Sequence, residues 1–414
     1  MDNKAVPSAW WPRLTDQAFL HNPYPELKRL ADQGPIHHDP ESGIYFVLSH
    51  SAFSRITKVS EMGRDPRCWA GGWAAPEYKQ QDPVGYRLFS EFQPQMINND
   101  GEDHLRMREV YKPAFRAQSM KALESMIQDE TNRLIARFPR NTDFNFIDAF
   151  AGPLPLRVLC TLFDIPASMD DTISRWSDAL IRIGDVLMSP EQKQDALDAL
   201  TEFKAYLSER IAERKQQPGD TLIDMAIRAY DDETLDEQET LTNLVSMLVA
   251  GHETTVTLIG NGLLLLLQHP GEMQKLRRNR HLMRSAVEEF LRVEPGGNMI
   301  LRVAKEDLQV EGHLIPAGAP VIGMVGAINR DPARFENPDE FDISRTSNAH
   351  LTFGSGPHVC IGAPLSRLEA QIAFSTLLDC FAQIESVGEP VWRLDRLNAR
   401  GLSDLPIRVQ GAAA

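Results

Sequence analysis

The sequence predicts a mainly α-helical protein with small β-sheets, folded as one large unit. Apolar residues recur at helical spacing over most of the chain from about residue 102 to 290. Short strand-like runs bounded by turn residues lie on either side of that region. No repeat, low-complexity tract or long linker divides the 414 residues, although that length alone would also allow two domains.

The strand-like runs flank the helical region. Residues 35–48, PIHHDPESGIYFVL, predict two short strands around a turn. Residues 307–325 predict further strands, with turns at Glu311-Gly312 and Ala317-Gly318. The chain then continues as a coil rich in proline and aspartate over residues 329–352.

One predicted helix is unusual. The helical region is interrupted at Gln217-Pro218-Gly219-Asp220, but nothing stops the next helix from Leu235 to Gln268. At 1.5 Å per residue it should be about 50 Å long. Its middle, LVSMLVAGHETTVTLIG, is apolar on nearly every face and should be buried. The His-Glu-Thr-Thr run at its centre therefore needs a reason, because unpaired polar groups in a core are costly.

Composition excludes several classes of function. The net charge of -15, without a basic stripe, disfavours binding to nucleic acid or to an anionic membrane. The N-terminal residues lack the apolar run of a signal peptide, and the most apolar stretch, Leu258 to Leu267, is too short to span a bilayer. The cysteines form no C-x-x-C pair, which fits the cytoplasm, and we expect Cys68, Cys160 and Cys380 to be inert core thiols.

The fourth cysteine lies in the stretch FGSGPHVCIG, residues 353–362, just before a predicted helix with Leu365, Leu368 and Ile372 on one face. Free N–H groups and the positive helix end favour a thiolate there, and the glycines allow close approach of the backbone to a large flat group. Three alternatives stay open at this point. They are a phosphate loop, which the spacing and Pro357 disfavour, a cysteine nucleophile with His358 as base, and a structural turn with an incidental thiol.

FGSGPHVCIG resembles the cysteine-ligand loop of the cytochrome P450 family, with its pattern F-x-x-G-x-x-x-C-x-G. Three further motifs are similar to family signatures and occur in the family order: HLRMR at 104–108, AGHETT at 250–255 and EFLR at 289–292. Each of the charged pairs alone would usually be a surface pair on a helix. Together the motifs extend the resemblance over residues 22 to 405. It implies a single domain over 1–414, a helical prism with a minor β-rich lobe that encloses haem b.

The resemblance also implies the residues that bind the cofactor. Cys360 would be the proximal iron ligand, with Phe353 packed near the sulfur. His104 and Arg108 share one helix face and would bind the haem propionates together with Arg302 and His358. The alternative for Arg302 is a solvated strand charge. The full predicted set is His104, Arg108, Ala250, Gly251, Arg302, Phe353, His358, Cys360 and Gly362.

Two further pairs follow from the resemblance. Glu253 and Thr254 would be catalytic and deliver protons, with Gly251 leaving room for oxygen, although Thr254 could simply bond back to the Ala250 carbonyl. Glu289 and Arg292 would form a buried structural ion pair. Relatives add a third basic residue, but this chain has Glu340 at that position. Arg345 or Arg334 would replace the missing basic residue. Alternatively, Arg292 would bind two carboxylates by itself.

The implied activity is that of a monooxygenase, which hydroxylates or epoxidises a small to medium hydrophobic molecule with O2. Electrons would come from a separate ferredoxin and its NAD(P)H-dependent reductase, docked on a basic patch of Arg106, Lys112, Arg116 and Arg367. The rivals are a peroxide-driven peroxygenase, which the Glu253-Thr254 pair argues against, and a non-catalytic haem-binding protein. By family analogy the substrate would contact Met96, Ile97, Asn98, Ser246, Val249, Ala250, Asn298, Met299, Ile300 and the turn near Leu402.

Overall fold

A computed structural model of the chain describes residue 14 and residues 16–185 and 188–411. It confirms the mainly α fold with small sheets. The helices are Gln17–His21, Tyr24–Ala31, His50–Ile56, Tyr78–Gln81, Pro83–Phe92, Gly101–Tyr111, Ala117–Ile135, Pro153–Leu162, Asp170–Leu180, Pro190–Gln216, Leu222–Asp231, Glu237–Gln268, Pro270–Arg278, Met283–Val293, Val325–Ile328 and Ala363–Cys380. The strands are β1 Ile36–His38, β2 Tyr45–Val47, β3 Met62–Gly63, β4 Phe144–Asn145, β5 Met299–Ala304, β6 Leu308–Val310, β7 His313–Ile315, β8 Pro320–Met324, β9 Gln383–Ser386, β10 Val391–Trp392, β11 Leu402–Asp404 and β12 Pro406–Gln410.

The largest sheet has the strand order β1-β2-β8-β5-β3. The predicted strands at 35–48 pair antiparallel, with Ile36 opposite Val47, and the predicted turns carry the positive φ angles of Gly312 and Gly318, 83° and 81°. The two predicted strand regions do not include β5, and Asn298-Met299-Ile300 was interpreted as pocket lining, although the alternative for Arg302 already placed that residue on a strand. Strand β5 pairs with β8 on one side and β3 on the other, and it carries Arg302.

The central helix, Glu237–Gln268, confirms the long uninterrupted helix and begins two residues after the predicted Leu235. The later start has a local cause. Asp236 accepts the Glu239 N–H and Glu239 accepts the Asp236 N–H, a capping box that fixes the first turn. Most of the helix is buried, as its sequence predicts. Nowhere in the described ranges does a helix, this one included, combine the length and apolarity needed to cross a bilayer.

Gly262 lets three helices meet closely. A Cβ at this position would lie 2.7 Å from Phe374 Cζ and 2.9 Å from Phe290 Cδ2. Phe290 belongs to the helix Met283–Val293, and Phe374 belongs to the cysteine helix, Ala363–Cys380. The central helix therefore lies directly against the helix that follows the cysteine loop. This contact fixes the distance between the two halves of the candidate site.

The cysteines differ from expectation at one position. All four are free, and Cys160 is buried, as predicted. Cys380 is half-buried, but Cys68 is exposed, so the prediction of a core thiol is wrong there. Cys68 ends a short 3-10 turn, Pro66–Cys68, that lies at the surface.

Candidate active site around the cysteine loop

The cysteine loop is held in a tight turn by its glycines. The Cys360 N–H donates to the Phe353 carbonyl at 2.9 Å, which closes the loop. Gly354 and Gly356 have φ angles of 68° and 74°, a region that side chains disfavour. Gly356 is constrained a second time, because a Cβ there would lie 2.1 Å from the Thr57 carbonyl oxygen. Backbone geometry therefore explains this glycine, and the thiol is presented at a fixed place.

The Cys360 thiol lies at the start of the cysteine helix, next to Gly362 at its N-cap. Burial raises the pKa of the thiol, while N–H groups of Gly362 and Ala363 and the charges of Arg108 and Arg367 act in the opposite direction. Cys360 is nevertheless an exposed residue, so the loop leaves it open to a ligand. A bound metal cation would supply the further positive charge that ionises it, since coordinating thiols are deprotonated.

The central helix opens to a space at Ala250. Its neighbour Val249 is buried, whereas Ala250 is exposed although it lies mid-helix. Thr255 on the next turn bonds to Ser366 of the cysteine helix, with the two hydroxyl oxygens 3.2 Å apart. Gly251 behaves differently from expectation, because a Cβ there would lie 3.0 Å from Leu159 Cδ1. Its missing side chain serves helix packing, and we assign the open face to Ala250.

Arg302 is a buried cation and not the solvated strand charge that the sequence left open. It is 3% exposed, and its one hydrogen bond within the described residues is to the Leu301 carbonyl, at 2.9 Å. Arg64 lies beside it and donates to the same carbonyl at 3.1 Å. Burial and then the charge of Arg64 lower the pKa of Arg302 to about 9. Burial lowers the pKa of Arg64 to about 10. A buried cation and a half-buried cation thus lie side by side.

His104 and His358 stack with ring centroids 4.0 Å apart. Burial, followed by the charges of His358 and Arg108, lowers the pKa of His104 to about 4, and burial also lowers the pKa of His358. His358 Nε2 lies 3.0 Å from Asp100 Oδ1, and Asp100 also accepts the backbone N–H groups of Arg64 and Asp65. Both imidazoles are therefore neutral at pH 7 and act as hydrogen-bonding groups, not as cations.

The balance of charge in this cluster fits a haem. Arg64, Arg108 and Arg302 carry three positive charges, and Asp100 supplies one negative charge, held ionised with a pKa of about 2 although burial opposes this. Buried charge without a partner is costly. A dicarboxylate would balance the excess of two, and the two propionates of a haem have that charge. Arg64 and Asp100 were missed from the sequence, although Asp100-Gly101 directly precedes the predicted HLRMR helix.

Glu253 is held by arginines from the C-terminal segment. Arg393 Nη1 donates to Glu253 Oε2 at 2.7 Å, and Arg396 Nη1 lies 3.7 Å from the same oxygen with no hydrogen-bond partner of its own. Thr254 Oγ donates to the Ala250 carbonyl at 2.8 Å, which is the back-bond that the sequence offered as the alternative. Its oxygen keeps lone pairs that can accept a further hydrogen bond.

Glu289 and Arg292 form the predicted buried pair, with both side chains 0% exposed and Nε–Oε2 at 2.8 Å. The third basic residue is Arg345, whose Nε lies 3.2 Å from Glu289 Oε1. Glu340 contributes only its backbone carbonyl, which accepts from Arg292 Nη2 at 2.8 Å. An arginine five residues further along the chain thus replaces the expected basic side chain.

The predicted substrate contacts do not all face open space. Asn298 and Met299 line only a small cavity of about 30 Å³ near the N-terminal helices. Ile97 is exposed, while Met96 and Val249 are largely buried. Leu402 is not in a turn as expected but in strand β11, and it is 2% exposed in the main core. The remaining predicted positions, Asn98, Ser246 and Ile300, are half-buried or exposed.

The predicted basic patch is mostly neutralised by acids. Arg106 pairs with Glu239, the two closest atoms being 2.7 Å apart. Lys112 pairs with Glu109 and Arg367 with Glu288 in the same way. Arg116 makes no ion pair within the described part of the chain. The expectation of a free cationic surface there is wrong for three of the four residues.

Comparison with known proteins gives consistent matches. The family model described as Cytochrome P450 matches residues 77–397. Cytochrome P450 107B1 of Saccharopolyspora erythraea is 39% identical over 320 residues, 76% of this chain and 77% of that protein. Vitamin D(3) 25-hydroxylase of Pseudonocardia autotrophica is 33% identical over 404 residues, 95% of each chain. The solved structure of P450BioI in complex with hexadec-9Z-enoic acid ligated acyl carrier protein has a TM-score of 0.87 and 32% identity, covering 95% of this chain and 100% of that one.

Proposed function

The chain belongs to the cytochrome P450 family, and from that premise we propose that it uses haem b, O2 and electrons from separate proteins to oxidise a hydrophobic molecule. Its family makes it an oxidoreductase of the monooxygenase class (EC 1.14) with a haem cofactor. The observation that carries the proposal is Cys360, held by its closed loop just before a helix N-terminus and exposed to solvent.

We assign the haem contacts to the residues of the cysteine loop and the cationic cluster. Cys360 would be the iron ligand, with Phe353 and Gly362 beside it and Ala250 on the exposed face of the central helix, while Gly251 packs against Leu159. Arg64, Arg108 and Arg302 balance the propionates, with His104 and His358 as hydrogen-bonding groups. When bound, the haem supplies O2 activation, and a thiolate ligand favours cleavage of the O–O bond.

Glu253 and Thr254 supply the protons that this cleavage requires. Glu253 is buried, but Arg393 and Arg396, which hold it, also line an open cleft of about 500 Å³ at the surface. A change of side-chain rotamer carries the carboxylate from the arginines towards Thr254. The Thr254 hydroxyl then accepts or donates a proton-carrying hydrogen bond on the helix face where Ala250 is exposed.

The electron donor is a ferredoxin with an NAD(P)H-dependent reductase. Because Arg106, Lys112 and Arg367 are already paired with acids, their charge contributes little to steering. Arg116 is the one predicted cation that stays available for a partner. The four free cysteines fit a reducing compartment, and we place the protein in the cytoplasm.

The substrate is a small to medium hydrophobic molecule that is hydroxylated or epoxidised. Ile97, Met299 and Ile300 supply apolar surface, with Ser246 and Asn298 as polar contacts. The named relatives support this class, since one is a vitamin D(3) hydroxylase and another was solved with a hexadec-9Z-enoic acid carrier complex.

One experiment separates this function from its rivals. The purified protein is reduced under CO, and substrate oxidation is then compared with NADH, ferredoxin and reductase or with hydrogen peroxide alone. A thiolate-type band and oxidation that needs the redox partners support the proposal. Oxidation by peroxide alone would identify a peroxygenase. A thiolate band without oxidation in either assay would identify a non-catalytic haem protein.

A further inference from the structure

The guanidinium of Arg367 lies over the ring of Phe353, the first residue of the cysteine loop. The guanidinium carbon lies 4.4 Å from the ring centroid, a cation–π contact. Phe353 is in turn tied to the cysteine, because its carbonyl accepts the Cys360 N–H at 2.9 Å. Arg367 itself lies on the second turn of the cysteine helix. The arginine thus contacts the loop from the helix that the loop begins.

The guanidinium is held in place by Glu288. Nε donates to Oε1 at 2.7 Å and Nη2 to Oε2 at 2.9 Å, a bidentate pair of the strong kind. Glu288 lies on the helix Met283–Val293, one residue before the buried Glu289. Arg367 is therefore fixed in orientation, and its charge is balanced locally.

His350 completes the arrangement. Its Nε2 lies 3.0 Å from Glu288 Oε2, and its Nδ1 lies 3.3 Å from the Thr352 nitrogen. The His350 side chain is 3% exposed. Arg367 and Glu288 are the oppositely charged pair of the cluster.

We propose that Arg367, Glu288 and His350 form a clamp that positions Phe353 and the Cys360 loop and sets the electrostatic potential at the haem ligand. The proposal rests on the proposed function, because it takes Cys360 to be the ligand. The three are positioning residues, since they act through Phe353 and the loop. The two ions are balanced, so changing either one exposes the charge of the other to the ligand side.

The test is potentiometric titration of the haem in the purified holoenzyme. Arg367→Ala leaves Glu288 uncompensated, and the negative charge disfavours the reduced iron, so the reduction potential falls. Glu288→Gln leaves Arg367 uncompensated, and the potential rises. The double variant removes both charges and should return close to the wild-type value. Opposite signs distinguish an electrostatic role from loss of packing, which would shift both single variants in the same direction.

Arg29 and Glu26 provide the matched control. They form a bidentate pair of the same geometry, at 2.7 and 2.6 Å, with side chains 44% and 30% exposed, on the helix Tyr24–Ala31. Arg29→Ala and Glu26→Gln should move the potential by less than half as much, because solvent screens them. Equal shifts in the two pairs would overturn the proposal, as would shifts of the same sign at Arg367 and Glu288.

Arg367→Lys separates charge from geometry, because lysine keeps the charge but lacks the planar fork. The potential should stay within the range of the control variants, while the ferrous CO adduct should lose its thiolate-type band faster than wild type. A band as stable as that of wild type would contradict the positioning role. A wild-type holoenzyme without a thiolate band would overturn both this clamp and the proposed function, whereas same-sign shifts with an intact band would overturn the clamp alone.

Discussion

Arg393 in the C-terminal segment holds the carboxylate of Glu253 at the centre of the central helix, with Nη1 and Oε2 2.7 Å apart. The two residues are 140 positions apart in sequence. Arg396 lies 3.7 Å from the same oxygen, and Asp178 lies 3.5 Å from Arg393 and 3.1 Å from Arg396. The buried acid is thereby connected to charged groups that reach a surface cleft.

Glu253→Gln should slow NADH oxidation and product formation together, on the order of 100-fold, because proton supply is reduced. Arg393→Gln should cost much less, since Arg396 can still pair with the carboxylate. Arg393→Gln combined with Arg396→Gln should approach the loss in Glu253→Gln. Steady-state rates with the redox partners measure all three. A single Arg393 variant as slow as Glu253→Gln would show that the arginines do not act interchangeably.

Thr254→Ala should leave haem content, the CO spectrum and NADH consumption largely intact, while product falls and hydrogen peroxide rises. The reason is that the hydroxyl directs protons and is not needed for reduction. Thr257→Ala is the matched control, because Thr257 makes the same back-bond, to the Glu253 carbonyl at 3.0 Å, but is buried. Measuring product and peroxide per NADH checks the prediction. Unchanged coupling in Thr254→Ala would exclude the relay and leave the back-bond as the role of this residue.

Arg292→Ala should destabilise the fold by about 3–5 kcal/mol, because it leaves Glu289 buried without its main partner. Arg345→Ala should cost less, about 1–2 kcal/mol, since Arg292 remains. Glu340→Ala should change stability by less than about 0.5 kcal/mol, because only its backbone carbonyl contacts Arg292. Urea unfolding followed by circular dichroism gives the order. A larger effect at Glu340 than at Arg345 would contradict the assignment of the third basic residue.

Asp185 gives a prediction about pH. Its carboxylate accepts the N–H groups of Leu397 and Asn398 at 3.0 and 2.8 Å, and burial raises its pKa to about 6. The folded state therefore binds this proton more tightly than the unfolded chain, whose aspartate pKa is about 3.9. The contribution of Asp185 to stability is most favourable below about pH 4 and is lost as pH rises to about 6.

Asp185→Asn keeps an oxygen acceptor for the two N–H groups and removes the titration. The variant should match wild type near pH 4 and exceed it at pH 7.5 by up to about 2 kcal/mol, less where solvent screens the half-buried group. Urea unfolding at the two pH values measures the difference. If the difference in unfolding free energy between Asp185→Asn and wild type is the same at both pH values, Asp185 does not titrate in this range.

The sequence located the residues whose signals are local. His104 and Arg108 lie one helical turn apart. The glycines of the cysteine loop predict a tight turn, and Gly354 and Gly356 have the positive φ angles that such a turn requires. Arg393 and Arg396 gave no signal, because they lie in a segment without a periodic pattern and meet Glu253 only in the folded chain. The same holds for Arg64, which joins Arg302 through the pairing of β3 with β5.

Charge pairing was also beyond the sequence. The sequence predicts Arg367 to be a free surface cation, yet Glu288, 79 residues earlier, accepts hydrogen bonds from both Nε and Nη2 of its guanidinium. Gly251 shows the same limit in packing, since only the neighbouring Leu159 reveals why a side chain would not fit. Long-range partners, and not secondary structure, account for most of what sequence reasoning missed.

The most direct test of the account is the ferrous CO spectrum of Cys360→His in the purified, haem-loaded protein. Wild type should show the red-shifted Soret band of a thiolate ligand, and Cys360→His should show the band of a histidine ligand. Serine at Cys68, Cys160 or Cys380 should leave the wild-type band in place. A thiolate band that persists in Cys360→His, or one that disappears when another cysteine is replaced, would contradict the assignment of Cys360.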